Sequence, residues 1–196
     1  MKYLLLLTLS FLFAGCLSPS PSPKIQYYRL HPANEFGRSE KEFNLPYLII
    51  GPIDLSPYLD QPKFALKVNE HEIEYQSYQR WAEPLEVNIA SVLAGNLRQY
   101  FQTSKIGPGA PKLLLSRELS RVLILLNRVD VDLEGNAHLS VQWSLNLNQN
   151  EEASKVYEGT YDTQAQGSDM LSRVSALHQL FNEFSLDLAR TLEDEM

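Results

Sequence analysis

The chain has 196 residues and a mass of 22.4 kDa; 44% of its side chains are apolar, 10% aromatic and 21% charged. The apolar fraction excludes wholesale disorder and collagen-like repeats, and 17 basic against 24 acidic side chains, a formal charge of −7 and a pI near 5.1, argue against a nucleic-acid binder that tracks phosphates with a basic face. A single cysteine excludes an intramolecular disulfide and any multi-cysteine zinc or iron–sulfur site.

Lys2, the apolar run Tyr3 to Phe13 and the small residues Ala14 and Gly15 before Cys16 have the three-part form of a secretory leader. The run is too short to cross a hydrocarbon core about 30 Å thick, which needs about 20 apolar residues in helical form. Phe13 is a poor −3 residue for ordinary signal peptidase. Phe13-Ala14-Gly15-Cys16 instead resembles a bacterial lipobox, with Phe13 where Leu is usual. That resemblance implies cleavage before Cys16, a diacylglycerol on its thiol and a third acyl chain on its new amine. Apart from this covalent N-acyl and S-diacylglycerol lipid no cofactor is expected. Because each buried methylene contributes about 0.8 kcal/mol and firm anchoring needs at least two chains, a triacylated Cys16 would hold the chain on a membrane. In enterobacterial-type lipoproteins, which this leader resembles, an Asp after the cysteine favours inner-membrane retention; Leu17 and Ser18 in its place imply, by that resemblance, the outer membrane and its periplasmic face.

Ser18-Pro19-Ser20-Pro21-Ser22-Pro23 follows; proline fixes φ and disfavours helix in its neighbour, so residues 16–24 read as the lipidated Cys16 and an extended tether. Loss of Lys2 with residues 1–15 makes the mature chain more acidic still, leaving the acyl chains rather than a basic patch to hold it on the membrane.

Residues 25–196 read as one periplasmic domain. Ile25–Leu30 is a short aromatic strand, and Tyr47–Gly51 a buried strand that breaks at Gly51-Pro52. Phe64–Val68 and Glu72–Tyr75 alternate around Asn69-Glu70-His71 as a hairpin. Leu85, Ile89, Val92, Leu93, Leu97, Tyr100 and Phe101 then recur at helical spacing, predicting a helix from Pro84, at its first position, to Thr103. Gly107-Pro108-Gly109 closes that segment. Val129, Val131 and Leu133 alternate with acidic residues up to a turn at Gly135-Asn136, and Leu139 to Asn148 alternate likewise, the pattern of a sheet with one solvated face. Val156–Gln164 completes a meander. A last helix, Asp169 to Leu192, is capped by Ser168 and carries the stripe Leu171, Val174, Leu177, Phe181, Phe184 and Leu188. The sum is an α+β two-layer sandwich, a mostly antiparallel sheet with two long helices packed on one face.

Sites of chemistry are scarce. His71-Glu72-Ile73-Glu74-Tyr75 lacks the second histidine of a zinc-protease helix and alternates as a strand. Asp130-x-Asp132-x-Glu134-Gly135 opens like a calcium loop, but its twelfth position is Val141 rather than Glu. Neither nucleophile elbow, phosphate loop nor dinucleotide fingerprint occurs. His31, His71, His138 and His178 have no acid and nucleophile at suggestive spacing. No catalytic or metal residue is assigned, and the chain reads as a non-enzyme.

Two segments go beyond generic pattern: Pro57-Tyr58-Leu59-Asp60-Gln61-Pro62 and Arg80-Trp81-Ala82-Glu83-Pro84-Leu85. With Tyr27-Tyr28-Arg29-Leu30 and the hairpin around Trp143, they resemble the ABC-type transport auxiliary lipoprotein family over essentially the whole mature chain. The Phe13 lipobox and the apolar Val122–Leu126 strand depart from it. The resemblance implies an outer-membrane accessory lipoprotein of an intermembrane lipid transport system, docking or receiving a periplasmic conduit. The implied partners are a mammalian-cell-entry (MCE) domain protein and, through it, an inner-membrane permease; a homo-oligomer is left open. Tyr58, Asp60, Arg80, Trp81 and Glu83 are the partner-interface candidates. Trp81 equally reads as a staple of helix to sheet, with Arg80 and Glu83 as a local ion pair worth under about 1 kcal/mol. A periplasmic lipid-binding carrier is the alternative, and it would require an apolar cavity of several hundred Å³.

Overall fold

The computed structural model describes residues 23–45, 47–109, 119–147 and 155–196. The leader, Cys16 and the Ser/Pro tract as far as Ser22 lie outside these residues, as does Asn148. In chain order the elements are β1 (Gln26–Tyr28), β2 (Leu48–Leu55), β3 (Lys63–Asn69), β4 (Glu72–Trp81), α1 (Leu85–Phe101), β5 (Ile106–Gly107), β6 (Ser120–Val131), β7 (Asn136–Asn146), β8 (Val156–Gln164) and α2 (Met170–Glu195).

The expected α+β sandwich is present, but its strands divide into two sheets. A five-stranded sheet has the order β5-β2-β6-β7-β8 and a three-stranded sheet the order β1-β4-β3. The long β6/β7 and β7/β8 ladders are antiparallel, as is β3/β4, while β5/β2, β2/β6 and β1/β4 are parallel. Both helices cover one face of the larger sheet. Val122, Ile124 and Leu126 of β6 and Leu139, Val141 and Trp143 of β7 are buried there beneath Leu93, Leu97, Leu177 and Phe184. The apolar Val122–Leu126 run and the alternating stretch after it are one strand, its alternation interrupted by a register shift between Leu126 and Arg128. Such a shift changes which face the following side chains point to.

Several boundaries differ from the sequence expectation. β2 continues through a cis Gly51-Pro52 bond, with Gly51 at φ 119°, to Leu55, and its pairing with β6 shifts register there. Leu133 lies beyond β6 in the turn and is 51% exposed. α2 is capped by Asp169, not Ser168: the Asp169 carboxylate accepts the Ser172 N–H at 3.0 Å. Its buried stripe begins at Val174, since Leu171 is 69% exposed. Pro84 precedes the first helical residue of α1 as its cap, and its carbonyl accepts the N–H groups of Val87 and Asn88.

The helices run side by side in the same direction. The Asn96 amide of α1 donates to Asn182 and Ser185 of α2, and Tyr100 near the end of α1 lies beside Glu193 near the end of α2. Their N-termini therefore share the end of the domain that holds the three-stranded sheet. Residues 30–33 lie across α1: the side-chain Oδ1 of Asn96 accepts the Ala33 N–H, and a Cβ on Gly95 would meet the Pro32 ring at 2.4 Å.

The Asp132–Asn136 turn gives a pH prediction. Partial burial works against the Asp132 carboxylate, but the Asn136 amide and the backbone N–H groups of Asn136, Glu134 and Gly135 outweigh it and hold its pKa below the ordinary value. A carboxyl whose folded pKa lies below its unfolded pKa of about 3.9 contributes stability above that pH and loses it as pH falls through the folded value. Denaturant unfolding of the natural chain is expected to weaken below about pH 4, and Asp132→Asn to flatten that part of the profile. Parallel profiles for the two proteins would contradict the assignment.

Candidate functional site

The two segments singled out in the sequence meet in space. The Pro57–Pro62 turn leads from β2 into β3, and the Arg80–Leu85 stretch leads from β4 into α1. The turn closes through Leu59 N–H to the Ser56 carbonyl at 2.9 Å and is bound to β4 through Trp81 N–H to the Pro62 carbonyl at 2.8 Å. Ala82 N–H to the Tyr28 carbonyl at 2.8 Å ties in β1. Between the two segments lies a cleft of about 340 Å³, floored by Pro62, Trp81, Pro84 and Leu85 and edged by Asp60, Glu83 and Glu86.

The five interface candidates take different positions. Trp81 is only 8% exposed, its ring tilted against Phe64 with centroids 5.2 Å apart, so most of its surface belongs to the core. The Tyr58 hydroxyl is taken up internally: it donates to Asp130 Oδ1 at 2.8 Å and accepts the Val129 N–H at 3.1 Å. Burial, followed by the neighbouring Asp130, pushes its pKa well above the usual tyrosine value, so it is a neutral donor at any physiological pH. Asp130 in turn pairs with Arg128, which compensates a carboxylate that is almost wholly buried. Asp60 is exposed at the cleft rim.

Arg80 and Glu83 do not form the expected ion pair. Glu83 Oε1 pairs with Arg29 at 2.9 Å and accepts the Asn88 amide at 2.8 Å. Arg80 is paired in register with Tyr27 and Lys63, whereas Tyr28 and Trp81 are paired one residue on, so Arg80 faces the opposite side of the sheet from Trp81. Its Nε has no partner among the described residues.

Two contributors were not among the candidates. Glu86, in the first turn of α1, edges the cleft together with Glu83, which lies just before the Pro84 cap. Asn88 receives the Leu30 N–H at 2.8 Å and donates to the Leu30 carbonyl at 3.0 Å, clamping the chain that enters from β1. Asp60 and Glu86 have no ion-pair partner among the described residues. The cleft therefore combines an apolar floor with carboxylates free to meet cations. A carboxylate rim on a largely apolar floor fits a segment carrying Lys or Arg.

A second concavity, an open groove of about 700 Å³, lies where β2 runs on past its two-residue partner β5; Ile49, Ile53, Val87 and Ala90 supply apolar lining, and Glu86 and Arg121 polar groups. Elsewhere, His138 meets Asp162 at 2.7 Å and His178 meets the His31 carbonyl at 2.7 Å, with no hydroxyl bonded to either ring among the described residues. No group of three or more His, Cys, Asp or Glu side chains among the described residues is arranged to hold a metal ion. No described helix is long and apolar enough to cross a membrane.

A family model for the ABC-type transport auxiliary lipoprotein component matches residues 28–189. The fold is similar to the crystal structure of an uncharacterised protein, with a TM-score of 0.71 at 16% identity over 87% of this chain and 99% of that one. It is also similar to the crystal structure of protein XCC0632 from Xanthomonas campestris, of the DUF330 family, with a TM-score of 0.68 at 11% identity over 87% of this chain and 100% of that one. No curated protein matches the chain.

Proposed function

The chain belongs to the family of ABC-type transport auxiliary lipoprotein components, and from that premise we propose that it is a non-catalytic accessory subunit, anchored in the outer membrane through Cys16, that docks the periplasmic conduit of an MCE-type lipid transport system. Residues 1–15 are then its leader, residues 16–24 its anchor and tether, and 25–196 its periplasmic domain. The MCE-domain protein is the direct partner and the inner-membrane permease the distant one.

The observation that carries this reading is the convergence of the Pro57–Pro62 turn and the Arg80–Leu85 stretch on one carboxylate-rimmed cleft. Its place in the fold supports the reading further. The cleft lies where β1 enters the domain, and Ile25 is nine residues from Cys16, a reach of at most about 30 Å. A conduit held there would end close to the membrane that carries the anchor. Asp60 and Glu86 supply charge for a cationic segment of the partner, while Trp81 and Leu85 supply apolar contact.

The test is charge reversal at the rim. Asp60→Lys together with Glu86→Lys should reduce co-purification of the MCE-domain protein from gently solubilised envelopes about tenfold or more, without change in unfolding midpoint. Unchanged recovery would refute docking at this cleft. The apolar groove along β2 favours the carrier as second reading, since about 700 Å³ is large enough for an acyl chain. Native mass spectrometry of the unacylated protein separates the two: phospholipid bound at stoichiometry supports a carrier, and lipid-free protein removes it.

A further inference from the structure

The three-stranded sheet has a second face, turned away from the core and outside the cleft. On its inner side Tyr28 and Trp81 are register partners and Trp81 packs on Phe64. On the outer side Tyr27 is paired with Arg80 and Arg80 with Lys63, and Tyr78 is exposed two residues before Arg80, where the pairing with β3 shifts register. Tyr27 is 62% and Tyr78 42% exposed, and Ile25, two residues before Tyr27, is 41% exposed. Among the described residues neither tyrosine hydroxyl has a hydrogen-bond partner, and Lys24, Lys63 and Arg80 have no ion-pair partner. Lys24, Lys63 and Arg80 thus lie with the exposed tyrosines at the β1 end of this sheet, while its acidic residues Glu72 and Glu74 lie toward the β3–β4 turn.

We propose that this face is a membrane-contact surface that seats the domain in the headgroup layer of the bilayer holding its own acyl chains. The proposal rests on the lipid anchorage of Cys16. Three considerations point to lipid as the occupant. Tyrosine rings with free hydroxyls suit the boundary between headgroups and hydrocarbon, apolar at one end and wet at the other. Unpaired Lys and Arg beside them are attracted to anionic headgroups, which repel the rest of the molecule. Finally, the tether ends on this sheet: nine residues separate Cys16 from Ile25, so the face stays within about 30 Å of the acylated residue. The other end of the domain is out of reach. α2 starts beside Tyr28, where Asp169 lies, and runs 26 residues, about 39 Å, to Glu195, which bonds the Tyr157 hydroxyl beside Val156 at the start of β8.

The acylated protein allows a direct test, because the thiol of its only cysteine is occupied by lipid and an introduced cysteine is then the sole free thiol. Tyr27→Cys, Tyr78→Cys and Val156→Cys, each carrying a fluorophore, are reconstituted into phosphatidylethanolamine/phosphatidylglycerol vesicles with nitroxide-labelled headgroups. Quenching several-fold stronger at positions 27 and 78 than at 156, lost in high salt, is the expected result. Protein that floats with the vesicles but is quenched equally at the three positions overturns the contact face alone. Protein that does not float overturns the anchorage, and the contact face with it.

Discussion

Truncation of Trp81 to alanine is expected to cost about 3–5 kcal/mol of unfolding free energy, the range for a large aromatic removed from a well-packed site. The ring lies at the junction of three elements. It is nearly buried, rests on Phe64 of β3, and sits next to Leu85 at the first position of α1. Neither neighbour can close the space without moving a strand or the helix start, so the cavity would persist. For a domain of this size the loss corresponds to a fall in melting temperature of roughly 10 °C. Trp81→Phe keeps most of the volume and should cost much less. The pair of variants separates stapling from docking: a folded Trp81→Phe that no longer recovers the partner would show that the indole itself contacts it, and undiminished recovery that its part is to hold the cleft open. A melting temperature unchanged in Trp81→Ala would contradict the placement of the ring in the core.

The second large effect is expected at Asn88. Its side chain satisfies both the N–H and the carbonyl of Leu30, deep between the incoming chain and α1, and also donates to Glu83. Asn88→Leu would fill the space but leave two buried backbone groups without partners, at about 1–3 kcal/mol each, for a loss of about 2–6 kcal/mol. Asn88→Asp should cost at least as much: it can still accept from Leu30 N–H, but it turns a buried carboxylate toward the Leu30 carbonyl and the Glu83 carboxylate. Chemical denaturation of the three proteins checks the order. If Asn88→Leu were as stable as the natural chain, the clamp would not hold β1 and the tether to α1.

The helices and most strands were legible because their faces differ sharply in polarity. The stripe Leu85 to Phe101 is buried at every named position. Val156–Gln164 forms β8 with the predicted bounds. Legibility failed where local signals competed. Gly51-Pro52 reads as a strand end, yet a register shift lets β2 continue. Ser168 and Asp169 are both good caps, and only the fold shows which carboxylate or hydroxyl meets a free N–H. The division into two sheets depends on pairings between residues far apart, such as Tyr28 with Trp81, and carries no local mark.

The candidate site was legible in its parts and not in its wiring. The two motifs were visible as segments, but their meeting depends on the Pro62 carbonyl and the Trp81 N–H, backbone groups on which side-chain identity is silent. The Arg80–Glu83 pair failed because Arg80 lies on β4, on the face opposite Trp81, while Glu83 lies past the strand's end in the connection to α1. Glu83 found Arg29 instead, through a parallel pairing of β1 and β4 that lies beyond sequence proximity.

The central claim, that a conduit partner docks at the cleft between the Pro57–Pro62 turn and the start of α1, is tested most directly by site-specific photo-crosslinking in intact envelopes. A photoreactive residue is placed at Asp60, at Glu86 or, at the far end of the domain, at Val156. Capture of the MCE-domain protein from positions 60 and 86 but not from 156 is the predicted result. Capture from 156 alone, or from none of the three with the protein folded and membrane-bound, would contradict it.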